Sequence, residues 1–229
     1  MTQTKTGALS GNQKRKMKSA ARLYAVQALF QMEAAAQSAT SVVAEFLDHR
    51  FGAVYEGEFR DDLADGKGKI TYTDGSTYDG DWIAGVIEGQ GRATYANGVV
   101  YEGGYKNARN HGIGIMTYSD GYRYEGEWQD GQRDGQGTAT YADGTVYVGS
   151  FENGQRSGQG KITMAGGFEY EGEWKAGEIH GSGTATYTNG DIYEGTFKNG
   201  KRQGVGTMRY ATGEEASGAW ENGALPEGG

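Results

Sequence analysis

The 229-residue chain carries 42 Gly and 16 Tyr but one Pro and no Cys, at a formal net charge of −8. The missing cysteine excludes a disulfide framework, a thiolate metal site and a cysteine nucleophile, and is compatible with a reducing cytoplasm. Glycine is not placed every third residue and aromatics are abundant, which excludes collagen and argues against disorder, leaving short strands and tight turns.

Charge divides the chain. Residues 1–52 carry seven Lys/Arg against three acids, a net of +4, and the remainder carries 15 against 27, a net of −12. Residues 1–12 read as a disordered polar tail. Residues 13–36 read as a helix: the stretch lacks Gly and Pro and sets Leu23, Val26, Phe30 and Ala34 at helical spacing. Ser41 is placed to cap a second helix running to Arg50, and Gly52 to end it. The apolar run near 20–36 is interrupted by Arg22, Gln27, Gln31 and Glu33, so neither a secretory signal nor a membrane span is expected there.

From residue 53 the chain is periodic. Tyr55, Tyr78, Tyr101, Tyr124, Tyr147, Tyr170 and Tyr193 are 23 residues apart, with Ala216 in the eighth place. Two residues after each comes Gly, and four after comes an aromatic, from Phe59 and Trp82 to Trp220. Paired glycines follow at eleven and thirteen, from Gly66 and Gly68 to Gly204 and Gly206. Seventeen after come Tyr72, Tyr95, Tyr118, Tyr141, Met164, Tyr187 and Tyr210. Alternation puts Tyr55, Gly57 and Phe59 on one strand face, and Glu56 and Glu58 on the other. Glycines 57 and 68 leave room for rings to lie over the backbone. Asp74-Gly75, Asn97-Gly98, Asp120-Gly121, Asp143-Gly144 and Asn189-Gly190 mark hairpin turns, with both residues expected to tolerate positive φ. Each repeat therefore supplies two strands. Residues 224–229 form a short Gly-rich tail.

The pattern, clearest at Tyr124-Glu125-Gly126-Glu127-Trp128 and Tyr170-Glu171-Gly172-Glu173-Trp174, resembles the MORN repeat over residues 54–223, seven full repeats and a half. Departures are Gly104 and Val148 at acidic positions, Met164 for Tyr and Ala216 for the leading Tyr. The resemblance implies a mainly β fold: an elongated, twisted, single antiparallel sheet of tandem hairpins, here preceded by two short α-helices. Fifteen strands at about 4.8 Å would run roughly 70 Å, coiled into a trough. The first segment, about residues 14–52, is similar to the start of the antitermination factor NusB, through Ala21-Arg22-Leu23-Tyr24-Ala25-Val26-Gln27 and Glu45-Phe46-Leu47-Asp48. In that family a basic N-terminal helix helps bind RNA beside a ribosomal-protein partner.

Of the three histidines, His49, His111 and His180, the last two hold the same repeat position three repeats apart, roughly 29 Å along the sheet, so they cannot share a metal or dyad and read as turn-facing residues of the repeat. Paired acids such as Glu125 and Glu127 recur on every repeat, as a solvated face does, whereas catalysis needs one enclosed constellation. No Gly-rich string opens a helix after a parallel strand, so nucleotide binding is not expected. No cofactor, no metal and no enzymatic activity are expected. The expectation is a cytoplasmic protein-interaction scaffold holding a protein or peptide in an aromatic trough lined by Tyr72, Tyr95, Tyr118, Tyr141, Tyr187 and Tyr210. A homodimer through the sheet edge or trough is a further expectation. Two alternatives follow from the first segment: RNA binding or antitermination, or peripheral membrane lipid association, through Lys14, Arg15, Lys16, Lys18 and Arg22. The acidic repeats themselves argue against lipid.

Overall fold

The computed structural model describes residues 53–226. The two helices expected over 13–50, the basic residues Lys14–Arg22 and the NusB-like match lie outside the described residues. Those described are mainly β. Fifteen antiparallel strands form one open sheet whose order follows the chain. Two compact units divide it, one ending at Asn110 and the other beginning at His111.

In the first unit lie β1 (Val54–Arg60), β2 (Leu63–Thr71), β3 (Thr77–Ile83), β4 (Val86–Thr94) and β5 (Val100–Lys106). The second holds most of β6 (Arg109–Thr117), then β7 (Arg123–Gln129), β8 (Gln132–Thr140), β9 (Val146–Glu152), β10 (Gln155–Thr163), β11 (Glu169–Lys175), β12 (Glu178–Thr186), β13 (Ile192–Lys198), β14 (Lys201–Arg209) and β15 (Glu215–Trp220).

Register explains the glycines. Gly57 pairs with Gly68, Gly68 with Gly80, Gly80 with Gly91 and Gly91 with Gly103. In the second unit the same line runs from Gly114 and Gly126 through Gly137, Gly149, Gly160, Gly172, Gly183, Gly195 and Gly206 to Gly218. Every strand thus gives one glycine to a cross-strand track without side chains. The leading tyrosine of each repeat fills that track. A Cβ on Gly137 would stand 2.6 Å from Tyr124 Cζ, and one on Gly126 2.7 Å from the Tyr124 hydroxyl. The ring occupies the space that any larger residue would take.

Those rings are the core. Tyr101, Tyr124, Tyr147, Tyr170 and Tyr193 have no exposed surface. Each leading tyrosine meets the aromatic four residues on and, where that falls in the same unit, its counterpart in the next repeat, edge to face. Tyr124 reaches Trp128 at 5.2 Å and Phe151 at 5.0 Å; Tyr147 reaches Phe151 at 5.2 Å and Trp174 at 5.1 Å. Edge-to-face contact is the favoured aromatic geometry and adds about 0.5–1.5 kcal/mol per pair beyond burial. Polar ends are paired as well. The hydroxyls of Tyr55, Tyr78, Tyr101, Tyr124, Tyr147, Tyr170 and Tyr193 each donate to the carbonyl three residues on. The indole N–H groups of Trp82, Trp128, Trp174 and Trp220 each donate to a glycine carbonyl fourteen residues back.

The turns differ from the sequence reading. At Asx-Gly only the glycine has positive φ, as at Gly75 (83°) and Gly144 (87°). Tyr72 N–H donates to Ser76 O and Gly75 N–H to Tyr72 O, which makes a type I turn closed by a left-handed glycine. The Asx side chain instead accepts the N–H two residues on: Asp74 from Ser76, Asn97 from Val99, Asp120 from Tyr122, Asp143 from Thr145 and Asn189 from Asp191. The two-residue turn with both φ positive lies inside the repeat, at Asp61-Asp62, Ala84-Gly85, Asp130-Gly131, Asn153-Gly154 and Asn199-Gly200. Its second N–H donates to the preceding repeat, as Gly154 N to Arg133 O and Gly177 N to Arg156 O.

Candidate interaction surface

Two surfaces remain once the core is filled. One is the polar face of the sheet. The other is the edge formed by the Asx-Gly loops.

On the polar face the two acids of a repeat do different things. The first stands in open cross-strand rows: Arg92 faces Glu102 at 3.7 Å, and Arg209 meets Glu194 at 3.3 Å. The second fills a bulge. Register slips between Gly57 and Phe59, and likewise at Gly80/Trp82, Gly126/Trp128 and Gly172/Trp174. The facing strand carries a left-handed glycine there: Gly66, Gly89, Gly135 and Gly181. The carboxylate accepts the next N–H, Glu58 from Lys67, Asp81 from Gln90, Glu127 from Gln136 and Glu173 from Ser182, at 2.8–3.2 Å. Hydrogen bonding and the Lys67 ammonium 2.6 Å away hold the Asp81 carboxyl below its usual range. These acids are structural fittings of the bulge. An open concavity of ≈ 1010 Å³ lies on this face in the second unit, with Glu171, Glu173, Thr184, Glu194, Thr207 and Arg209 in its lining.

Histidines play no joint role. His111 and His180 sit within β6 and β12. Among the described residues no group of His, Cys, Asp and Glu could hold a metal ion.

The loop edge holds the six tyrosines singled out in the sequence. Tyr72 is buried, Tyr118, Tyr141 and Tyr187 are half-buried, and Tyr95 and Tyr210 are 41% and 37% exposed. Met164, in the same column, is 42% exposed. None of the six lines the concavity. In the second unit the edge is joined by rings that the sequence reading missed. Tyr118 meets Tyr122 at 5.2 Å, Tyr122 meets Tyr141 at 5.1 Å, and Phe168 meets Tyr187 at 5.5 Å. Tyr122 and Phe168 stand four residues beyond Tyr118 and Met164, across the loop, as partners in the pairs Tyr118 N to Tyr122 O and Met164 N to Phe168 O. The period does not reveal this position, because it varies between Ser76, Val99, Tyr122, Thr145, Phe168, Asp191 and Glu214.

Three arginines stand nine residues after a leading tyrosine, and two of them, Arg133 and Arg202, reach edge rings. Arg133 lies over Tyr122, Tyr124 and Phe151, donates to the Tyr122 hydroxyl and reaches Gly154 O at 2.6 Å. Arg156 lies 4.3 Å over Trp174 and donates to Gly177 O at 2.8 Å. Arg202 lies 4.5 Å over Trp220, 5.8 Å from Tyr187, and donates to Gly223 O. Each one staples its repeat to the turn of the next, where desolvated cation–π contact is strongest. Burial pushes the Tyr122 phenol up, against the lowering effect of Arg133.

An array of hairpins with an aromatic core, a polar face and an aromatic loop edge is a repeat protein. The chain belongs to the MORN repeat family, matching it at residues 55–77, 78–100, 101–121, 124–146, 147–167, 170–192 and 193–215. No curated protein matches it. Among solved structures it is similar to the TCP domain of SAS-4 from Drosophila melanogaster, in complex with a proline-rich motif of Ana2. That likeness is 13% identical at a TM-score of 0.43, over 73% of this chain and 90% of that one. A mutant TCP10 domain of Danio rerio CPAP is 12% identical at a TM-score of 0.42, over 73% and 78%.

Proposed function

We propose that this protein is a non-catalytic scaffold that binds a protein or peptide along its loop-edge tyrosines. The observation that carries this reading is the row of edge rings Tyr118, Tyr141, Tyr187 and Tyr210, interrupted by Met164, which are partly exposed and repeat at fixed spacing. The leading tyrosines are consumed in the core, whereas the edge rings complete no fold element that Thr145 or Met164 does not complete as well. Aromatic side chains at this exposure are the usual anchors of protein interfaces.

Co-purification from the native cell tests the reading, comparing the intact chain with a variant in which Tyr118, Tyr141 and Tyr187 are all alanine. Loss of the partner with the sheet intact by circular dichroism is the expected result. A partner that stays bound would remove the edge from consideration, and one lost only on deleting residues 1–52 would move the activity to the basic segment.

A further inference from the structure

We propose that the loop edge of the second unit is a docking track for a cationic polyproline II segment. This rests on the preceding reading that the edge is the binding surface, and it adds the conformation and charge of the occupant.

Conformation follows from pitch. Tyr118, Tyr141, Met164, Tyr187 and Tyr210 recur once per repeat, which is once per two strands. Two strand spacings are about 9.6 Å. A polyproline II chain turns once in three residues at 3.1 Å each, about 9.3 Å. Side chains on one side of such a chain therefore meet successive edge rings with a drift of about 0.3 Å per repeat. The other regular conformations do not fit. A β-strand presents one face every 6.4–6.8 Å or so. An α-helix turns every 5.4 Å, and two turns overshoot by about 1.2 Å per repeat. Polyproline II also leaves its carbonyls unbonded, free to accept from phenolic hydroxyls, and it enters binding already ordered.

Charge follows from the loops. Four of the five edge loops carry a carboxylate: Asp120, Asp143, Asp191 and Glu214. None of the four makes an ion pair among the described residues, while Arg123 and Arg209 nearby are paired with Glu125, Glu194 and Glu215. Arg133 and Arg202 lie against the same rings but are engaged with turn carbonyls. Asp120, Asp143 and Asp191 likewise accept backbone N–H groups, so the balance is one of charge alone: four carboxylates against two guanidinium groups leave the track negative, and the complementary segment is basic.

The test uses the full chain and fluorescein-labelled synthetic peptides about 13 residues long, enough to cross four repeats. One is built from Pro-Pro-Lys units, one from Ala-Ala-Lys and one from Pro-Pro-Glu. Anisotropy is expected to show saturable binding of the Pro-Pro-Lys peptide, roughly tenfold or more tighter than either control. The Tyr141→Ala/Tyr187→Ala variant should lose roughly tenfold. Tyr210→Ala, which removes only an exposed ring, should lose about threefold with an unchanged melting curve, so the claim does not depend on the double variant's fold. Equal binding of Pro-Pro-Lys and Ala-Ala-Lys peptides would overturn the polyproline assignment yet leave an edge that binds peptides. Tighter binding of the Pro-Pro-Glu peptide would overturn the charge assignment. Binding indifferent to all three tyrosines, or no binding of the Pro-Pro-Lys peptide, would overturn the proposal, with the co-purification experiment deciding separately whether the edge binds anything.

Discussion

Gly137→Ala adds one methyl group to a strand and should destabilise the sheet far more than alanine in a strand ordinarily does. Gly137 has no positive φ, so the backbone itself admits alanine. The space does not: the new Cβ would lie 2.6 Å from Tyr124 Cζ, where ordinary contact begins near 3.4 Å. The strand cannot retreat, because Gly137 pairs with Gly126 on one side and Gly149 on the other. The ring must move by about 1 Å, and it has no exposed surface to move into. Moving it weakens the hydroxyl bond to Glu127 O, worth about 1 kcal/mol. It also spoils edge-to-face contacts with Trp128 and Phe151, about 0.5–1.5 kcal/mol each. The sum is about 2–4 kcal/mol, within the usual range for overpacking or just above it. Gly144→Ala is the control: its φ is 87° but its nearest neighbour would be Ala165 Cβ at 3.8 Å, so only backbone strain of about 1–2 kcal/mol applies. Urea unfolding followed by tryptophan fluorescence measures both. A double-mutant cycle then isolates the cause. Tyr124→Ala should cost about 3–5 kcal/mol, and adding Gly137→Ala to it should cost almost nothing, because the ring that clashed is gone. Additivity within about 0.5 kcal/mol, or a Gly137→Ala cost no larger than that of Gly144→Ala, would refute the steric reasoning.

Tyr105 occupies a position that is otherwise Phe or Trp, and its hydroxyl is buried without a partner. Tyr105→Phe should therefore raise stability by about 1–2 kcal/mol, while Tyr124→Phe, which discards a made bond, should lower it by about 1 kcal/mol; paired thermal melts give the two signs. Arg156→Ala should cost about 1–2 kcal/mol through lost stacking on Trp174 and the lost bond to Gly177 O, and Arg156→Lys should restore little, because an ammonium cannot stack as a plane and bond at once. Alkali should destabilise the sheet. Burial raises the phenols of Tyr55 and Tyr147 to about 12, and raises those of Tyr78, Tyr105, Tyr122, Tyr124, Tyr170 and Tyr193 as well. The unfolded phenol ionises near 10, so this stability is full below pH ~10 and is lost as pH rises through ~12. Phenolate absorbance should rise in two stages, the second coinciding with loss of the β circular dichroism signal; a single stage near pH 10 with the sheet intact would contradict it.

Much of the fold was legible because its period is visible in residues that do one job each. Tyr124, Gly126 and Trp128 alternate as a strand must, and Asp143-Gly144 can only be a loop. Sequence reading went astray where one residue pair has two uses. Asn153-Gly154 and Asp143-Gly144 look alike, yet the first is a two-residue turn with both φ positive and the second closes a type I turn. The difference lies in the neighbours: Asp143 has Thr145 two residues on to bond through its side chain, while Asn153 has the carboxylate of Asp134 waiting for its N–H. The bulge was equally hidden. Nothing local in Glu127 says that it will bond the amide of Gln136, because the slip in register that frees that amide belongs to the paired strands and not to either one. At the edge, Tyr118 and Tyr141 were visible from the period, but Tyr122, which links them, was not, since the loop that brings it across is made of backbone bonds.

The glycine track also limits where function can reside. Where a leading tyrosine lies over the track, a strand that gave it any other residue would displace that ring, so both the tyrosine and its glycines are fixed by packing. A one-residue insertion in a strand would turn every following side chain to the other face. Variation falls in columns whose neighbours tolerate it, among them the bulge acid, replaced at Gly104, Ser150 and Thr196; the staple position, filled by Ala64, Ile87, Asn110, Ile179 or arginine; and the two loop-edge columns. The first two columns are occupied with holding repeats together. The loop-edge columns are not, for Thr145 and Met164 keep the same backbone bonds as Tyr122 and Tyr141. Tyrosine at six of seven places in the first of these columns, in a series of nearest-neighbour units that do not require it, is what the proposed binding at the loop edge accounts for.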